Sequence, residues 1–159
     1  MSPHEAVAPA RKVASPSSLF TARRANRALV LVRKITADIV ARYLQLIDLR
    51  AQAREAADDA DSDAPPTRND AEPALQAQID RSLHLLGRLN RELVDIGCIL
   101  RDWRTGLVDF PAVYQGRRVW LCWRLGEPAI EHWHTVDAGI QGRQPVDERF
   151  RRRSSNRPN

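Results

Sequence analysis

The spacing of apolar positions predicts one long helix in the first third of the chain. Seven positions recur at alternating steps of three and four, which places their side chains on one helical face: Leu29, Val32, Thr36, Ile39, Tyr43, Leu46 and Arg50. Thr21 is a suitable N-cap residue, and neither Gly nor Pro interrupts residues 17–64. The pattern therefore predicts that Leu19-Phe20-Thr21 opens a helix, with Thr21 as its N-cap, and that the helix runs to about Glu55.

A second helix is predicted from about residue 72 to residue 96. Ile79, Leu86 and Leu93 follow the same spacing, and Gly97 is a suitable residue to end the helix. The acidic segment 58–70 contains two prolines and predicts a flexible loop. Two apolar-striped helices joined in this way should pack as an antiparallel, coiled-coil-like hairpin over residues 19–97, with a homodimer through that hairpin as one outcome.

After Gly97 the pattern changes from helical spacing to short runs. Glycines recur about every ten residues, with β-branched and aromatic residues between them. We predict strands at 107–114, 117–124 and 129–136, joined by tight turns at Gln115-Gly116 and around Gly126. The predicted fold class is α+β: a long helical hairpin followed, over residues 98–146, by a small three-stranded antiparallel β-meander.

The positive charge is concentrated in the first helix and in the C-terminal tail, since residues 1–57 hold ten Lys and Arg against four Asp and Glu. The net charge is +5, and five arginines against one Glu fall in the last twelve residues. We predict a disordered arm over 1–18 and a basic disordered tail over 147–159. With two cysteines, no apolar run near the roughly 18 residues of a membrane span, and no signal-peptide pattern, we expect a cytoplasmic protein without membrane contact.

The candidate chemistry lies in residues 121–145, where reactive side chains and turn glycines are densest. A Gly-rich loop at 138–143 offers backbone N–H groups to an anion, and Arg143 can form a two-pronged contact with it. We predict a pocket for an anionic ligand or an acidic partner protein, in which Asp137 orients His134. The predicted ligand-binding residues are Arg124, Glu127, His134, Asp137 and Arg143.

A metal site is the first alternative. If Arg124 pairs with Ile130, Cys122 lies opposite His132 and diagonal to His134, and a thiolate with two imidazoles suits zinc. A metal-dependent hydrolase would use Cys122 and His134 with Asp109 or Asp137. Neither CxxC nor HExxH is present to fix such a site.

The remaining function classes have less support. The Arg-rich tail favours only non-specific contact with nucleic-acid phosphates, so nucleic acid is not expected as a specific partner. No nucleophile-elbow, Walker or dinucleotide-binding motif is present. We therefore favour a binding or adaptor protein over an enzyme and expect no cofactor.

The chain resembles the bacterial domain of unknown function 2203 family. The resemblance rests on GLVDFPAVYQGRRVWLCWRLGEPAIEHWHTVDAGIQGRQP at 106–145 and on LFTARRAN at 19–26, and it spans Leu19 to Val146. The positions that match the family pattern are Asp109, Cys122, Arg124, Glu127, His134, Asp137, Gly139, Gly142 and Arg143. Arg23, Arg24 and Val30 depart from it, and the family pattern has an aromatic residue at the position of His132. The family has no assigned activity, so the resemblance points to a site without naming its function.

Overall fold

The computed structural model describes residues 19–60 and 71–153. Two long helices are followed by a five-stranded sheet and a short helix. The elements in chain order are α1 (Ala22–Ala60), α2 (Ala71–Ile96), β1 (Ile99–Asp102), β2 (Leu107–Tyr114), β3 (Arg117–Arg124), β4 (His132–Thr135), a 3-10 turn (Ile140–Gly142), β5 (Gln144–Pro145) and α3 (Glu148–Arg153). The α+β class is confirmed.

Both helices begin or end where their capping residues predict. The Thr21 hydroxyl accepts a hydrogen bond from the Arg24 amide at 3.2 Å, which caps the start of α1. At the end of α2, Gly97 has a φ of 103°, and the amides of Gly97 and Cys98 donate to the carbonyls of Val94 and Leu93. These two bonds form a Schellman motif, which turns the chain from α2 into β1.

The sheet is an antiparallel meander of five strands, not three. Strands β2 and β3 have the predicted bounds, and their two-residue turn has positive φ at both Gln115 and Gly116, as a type I′ hairpin requires. The strands β1 and β5 were missed because they are only four and two residues long. The order in the sheet follows the order in the chain.

The predicted third strand is shorter than expected because Ile130, near its start, binds α1 instead of β3, as does Pro128 just before it. The Ile130 amide donates to the Asn26 side chain at 2.8 Å, and Arg33 donates to the Pro128 carbonyl at 2.8 Å. Strand β4 therefore begins at His132.

The coiled-coil description of the helices is not exact. The helices α1 and α2 do pack on each other, but the buried residues in the N-terminal half of α1 belong to one core cluster with those of β2 and β3. Phe20, which immediately precedes α1, packs edge-on against Phe110 of β2 with ring centroids 5.2 Å apart. Helix α1 thus packs on both α2 and the sheet, so the two helices do not form a simple coiled coil.

Part of the predicted basic tail is ordered. Residues 148–153 form α3, and Phe150 is 1% exposed because it stacks on Tyr114 and contacts Trp133. The predicted loop at 58–70 begins later than expected, since α1 continues to Ala60. The arm at 1–18, the rest of that loop and residues 154–159 lie outside the described residues. Among the helices of the described part, none has the length and apolar character to cross a membrane.

Helix α1 passes close to the sheet at Gly106, just before β2. A Cβ atom added there would lie 2.8 Å from the Thr36 methyl group and 2.8 Å from the Cβ atom of Leu125, and the glycine has a φ of +69°. Both the space and the backbone conformation therefore require glycine.

We expect Gly106→Ala to lower the free energy of unfolding by about 2 kcal/mol or more, because left-handed strain and a steric clash add together. Gly116→Ala is the matched control: it has a similar φ of +74° but no neighbour within 4 Å, so it carries the strain alone. Urea unfolding followed by tryptophan fluorescence measures both. Equal losses in the two variants would contradict close packing of α1 at Gly106.

Candidate functional site

The sheet has one apolar face and one polar face, because alternate side chains of a strand point to opposite sides. On β3, Leu121 and Trp123 belong to the buried core, whereas Trp120, Cys122 and Arg124 point to the polar face. The register places three neighbouring residue pairs on that polar face: Asp109 with Cys122, Cys122 with His132, and Trp120 with His134.

Asp109, Cys122 and His134 form a buried group on the polar face, which we call the Asp–Cys–His cluster. They are 1%, 0% and 4% exposed, and their ligand-type atoms lie within 4.8 Å of one another. His134 Nε2 is 3.2 Å from Asp109 Oδ1, although β3 separates their strands. Two strand spacings amount to roughly 9.5 Å, so both side chains must reach across β3. The small side chain of Cys122 leaves room for that contact.

Hydrogen bonds outside the cluster fix the orientation of two of its members. His134 Nδ1 lies 2.9 Å from the Thr135 carbonyl, which can only accept, so Nδ1 carries a proton and Nε2 faces the cluster. The second oxygen of Asp109 accepts from Arg101 Nε at 2.9 Å. The imidazole ring of His134 and the carboxylate of Asp109 are therefore both oriented by contacts outside the cluster.

Cys122 is not positioned as a nucleophile. Burial raises the pKa of its thiol to about 12, and the Asp109 carboxylate also raises it, while Arg143 acts in the opposite direction. A neutral thiol without solvent exposure reacts slowly with electrophiles. The Cys122 thiol is therefore better suited to contacts within the protein than to nucleophilic attack on a substrate.

Glu127 and Arg143 form a two-pronged ion pair beside the cluster. Arg143 Nη1 and Nη2 donate to the two carboxylate oxygens at 2.7 and 2.8 Å, and Nη2 also donates to the Cys122 carbonyl at 3.3 Å. The amide of Arg124 donates to Glu127 Oε2 at 2.9 Å, so the carboxylate also closes the turn after β3. The guanidinium group of Arg143 is thus already engaged by the Glu127 carboxylate.

A cleft of about 1340 Å³ lies between the polar face of the sheet and the two long helices. The helical wall is formed mainly by Tyr43, Leu46, Arg50, Leu83 and Leu86. The opposite wall includes Arg101, Trp103, Asp109, Trp120, Arg124 and His134. Asp109 and His134 therefore reach the cleft, while Cys122 is absent from its lining.

The predicted ligand-binding residues divide into three groups. Arg124 and His134 line the cleft. Glu127 and Arg143 pair with each other. Asp137 is exposed and is not part of the cleft wall, and the carboxylate in contact with His134 is that of Asp109.

The residues predicted to bind a metal do not all come together. Cys122 does lie opposite His132, as the assumed register requires, but the compact cluster contains Asp109 in place of His132. His132 Nδ1 is buried and has no hydrogen-bond partner within the described ranges. Of the residues in the hydrolase hypothesis, Cys122, His134 and Asp109 come together and Asp137 does not; the hydrolase itself stays a prediction.

Sequence reasoning missed the part of the site that precedes β2. Arg101 lies in the four-residue strand β1, next to an irregularity in its pairing with β2, and so short a run carries no readable alternation. The spacing predicts Tyr43 on the apolar face of the first helix, and its ring centroid lies 6.0 Å from that of Trp103 beside the cleft. The pairing of Trp103 with the helix had no signal in the sequence.

The fold and site define an α+β protein in which two long helices and an antiparallel meander enclose a cleft with charged groups on its sheet side. The chain belongs to the family described as "Uncharacterized conserved protein (DUF2203)", which matches residues 18–146. That segment contains the Asp–Cys–His cluster and both members of the Glu127–Arg143 pair. Neither a curated protein nor a solved structure gave a match to the chain.

The Glu127–Arg143 pair predicts an acid-dependent loss of stability. Burial alone would raise the pKa of Glu127, but the hydrogen bonds from Arg143 and the Arg124 amide, with the charges of Arg143 and His132, bring it below its ordinary value of 4.5. A carboxyl whose pKa is lower in the folded state stabilises the protein above that ordinary value. The contribution is lost as the pH falls through the folded value.

We therefore expect Glu127→Gln to lower the free energy of unfolding by about 1 kcal/mol at neutral pH, since the pair is only partly buried. The gap from wild type should narrow as the pH falls from 4.5, the ordinary pKa of the carboxyl, to below its lower pKa in the folded protein, where the wild-type carboxyl is neutral as well. Urea titrations along a pH series measure it, with exposed Glu131→Gln as the control. A gap that stays constant into acid would contradict the role of the charge.

Proposed function

We propose that this protein binds a small anionic ligand in the cleft between its helices and the polar face of its sheet. The observation that carries the proposal is the charge of the cleft wall, which includes four arginines and two aspartates. The arginines are Arg50, Arg101, Arg104 and Arg124. An excess of guanidinium groups in a concave site favours carboxylate or phosphate groups.

Arg124 supplies the anchoring charge. Its side chain is exposed, and its guanidinium makes no hydrogen bond or salt bridge with any residue that the structure describes. Arg101 is partly engaged by Asp109 but keeps 41% of its side chain exposed. These two arginines of the same wall are suited to grip one acidic group.

The aromatic side chains favour a ligand with a planar or apolar part. Arg101 lies over the Trp120 ring, 4.8 Å from its centroid, which holds the cation beside a flat apolar surface. Tyr43, Leu46 and Leu86 form the facing helical wall. Apolar walls with a few polar anchors are typical of small-molecule sites, so we favour a small ligand over an acidic peptide.

A homodimer through the helices and a partner protein both stay predictions. Nothing in the cleft requires either of them.

The ligand is sought by thermal-shift screening of carboxylate- and phosphate-bearing metabolites, nucleotides and acidic peptides. We expect a small anion to raise the melting temperature, because binding to the folded state alone stabilises it. In calorimetry, Arg124→Ala should weaken the binding of that ligand about ten-fold or more, which is the effect of one lost charged hydrogen bond.

Arg117→Ala is the matched control, since Arg117 is an exposed arginine of the same strand outside the cleft wall. It should leave the affinity unchanged. The proposal fails if no anion stabilises the protein, or if the two arginine variants lose affinity equally.

A further inference from the structure

We propose that the Asp–Cys–His cluster binds a divalent transition-metal ion of the zinc type. This goes beyond capture of an anion and does not depend on it. The cluster offers one carboxylate oxygen, one sulfur and one imidazole nitrogen, all buried and all within 4.8 Å of one another. Zinc takes these three ligand types in proteins, with four-coordinate geometry as the rule.

The distances require little rearrangement. Bonds of 2.0–2.3 Å to a tetrahedral ion place its ligand atoms roughly 3.5 Å apart. His134 Nε2 and Asp109 Oδ1 are already 3.2 Å apart. The outer limit of 4.8 Å for the group leaves a closing movement of about 1 Å for its remaining contacts.

The ligands are supported in the way that metal ligands usually are. A ligating histidine commonly donates its other ring N–H to a carbonyl, which fixes the ring and its tautomer. His134 does so through Nδ1 to the Thr135 carbonyl. Asp109 presents one oxygen to the cluster while Arg101 holds the other. Both orienting contacts therefore exist without any change in the fold.

The charges and protons balance for a divalent ion. One carboxylate and one thiolate together carry two negative charges. Without an ion, the contact between Nε2 and Oδ1 is a hydrogen bond only if a proton lies between them, because both ring nitrogens face acceptors. The ion takes the place of that proton and of the Cys122 thiol proton, and both leave to solvent.

The fourth coordination position would face the cleft. Asp109 and His134 line its wall, whereas Cys122 is fully buried and outside that lining. Three protein ligands with one position toward solvent is the arrangement of zinc sites that bind water or substrate, in contrast to closed structural sites. The site would therefore hold an exchangeable water or an acidic group of a bound molecule.

The test titrates full-length protein, purified without a histidine tag and stripped with a chelator, with Co²⁺ and then with Zn²⁺. We expect one equivalent to bind and Co²⁺ to give a sulfur-to-cobalt charge-transfer band in the near ultraviolet. Elemental analysis should find stoichiometric zinc after removal of excess metal.

Cys122→Ala should lose the charge-transfer band and bind cobalt at least about ten-fold more weakly. Cys98→Ala is the matched control, since Cys98 is the other buried free cysteine and donates to the Leu93 carbonyl away from the cluster. The Cys98→Ala variant should keep the charge-transfer band and still bind one equivalent of metal. Asp109→Asn keeps the side-chain shape and guards against a folding defect in Cys122→Ala; it should also weaken binding about ten-fold or more.

The site is overturned if the wild type binds no stoichiometric metal, if the band persists in Cys122→Ala, or if Cys98→Ala loses it as well. Arg124→Ala separates the two proposals, because it should lose the anion while keeping the metal. Anion binding without metal would leave the cluster as a network of hydrogen bonds alone.

Discussion

The close passage of α1 past the end of the sheet at Gly106 is the constraint on which the arrangement of the molecule depends. On the N-terminal side of this contact, Asn26 and Arg33 bind the turn before β4, and Phe20 packs on the core face. On its C-terminal side, Tyr43 and Leu46 form a wall of the cleft. The same helix thus contributes to both the core and the cleft, and its position sets the separation between the helical wall and the polar face.

Within the sheet, β3 brings together groups from strands that do not touch. A buried carboxylate is costly unless its oxygens are bonded, and Asp109 has one oxygen on Arg101 and the other on His134. These partners come from β1 and β4, on opposite sides of β2 and β3. A side chain larger than that of Cys122 would fill the space that the Asp109–His134 contact crosses. The polar face is therefore organised by its smallest buried side chain as much as by its charged ones.

The local features of the fold could be predicted, and the reason lies in backbone chemistry. Thr21 and Gly97 mark helix ends because their conformations and hydrogen bonds are decided within a few residues. Strands β2 and β3 were predicted to the residue because alternation and the Gln115-Gly116 turn agree. The strands β1 and β5 could not be, since four and two residues show no period and form only by pairing with a neighbour.

The sequence indicates the region that holds the candidate site, but not which side chains pair within it. Arg124 and His134 do line the cleft, and the register that places Cys122 opposite His132 was the one assumed. The partners were harder to foresee. Arg143 meets Glu127 sixteen positions away, and His134 meets Asp109 across an intervening strand. Such contacts depend on which side chain reaches over which strand, and no spacing rule in one chain encodes that.

The packing of Phe150 bears on where this protein can be divided. The family segment ends at residue 146, yet the Phe150 ring packs against Tyr114 and Trp133 and belongs to the buried core. Trp133 directly precedes His134, so the same stacked rings back the strand that presents the imidazole. A fragment cut at the family boundary would leave two aromatic rings facing water behind that strand. The unit of folding is therefore longer than the unit of sequence similarity.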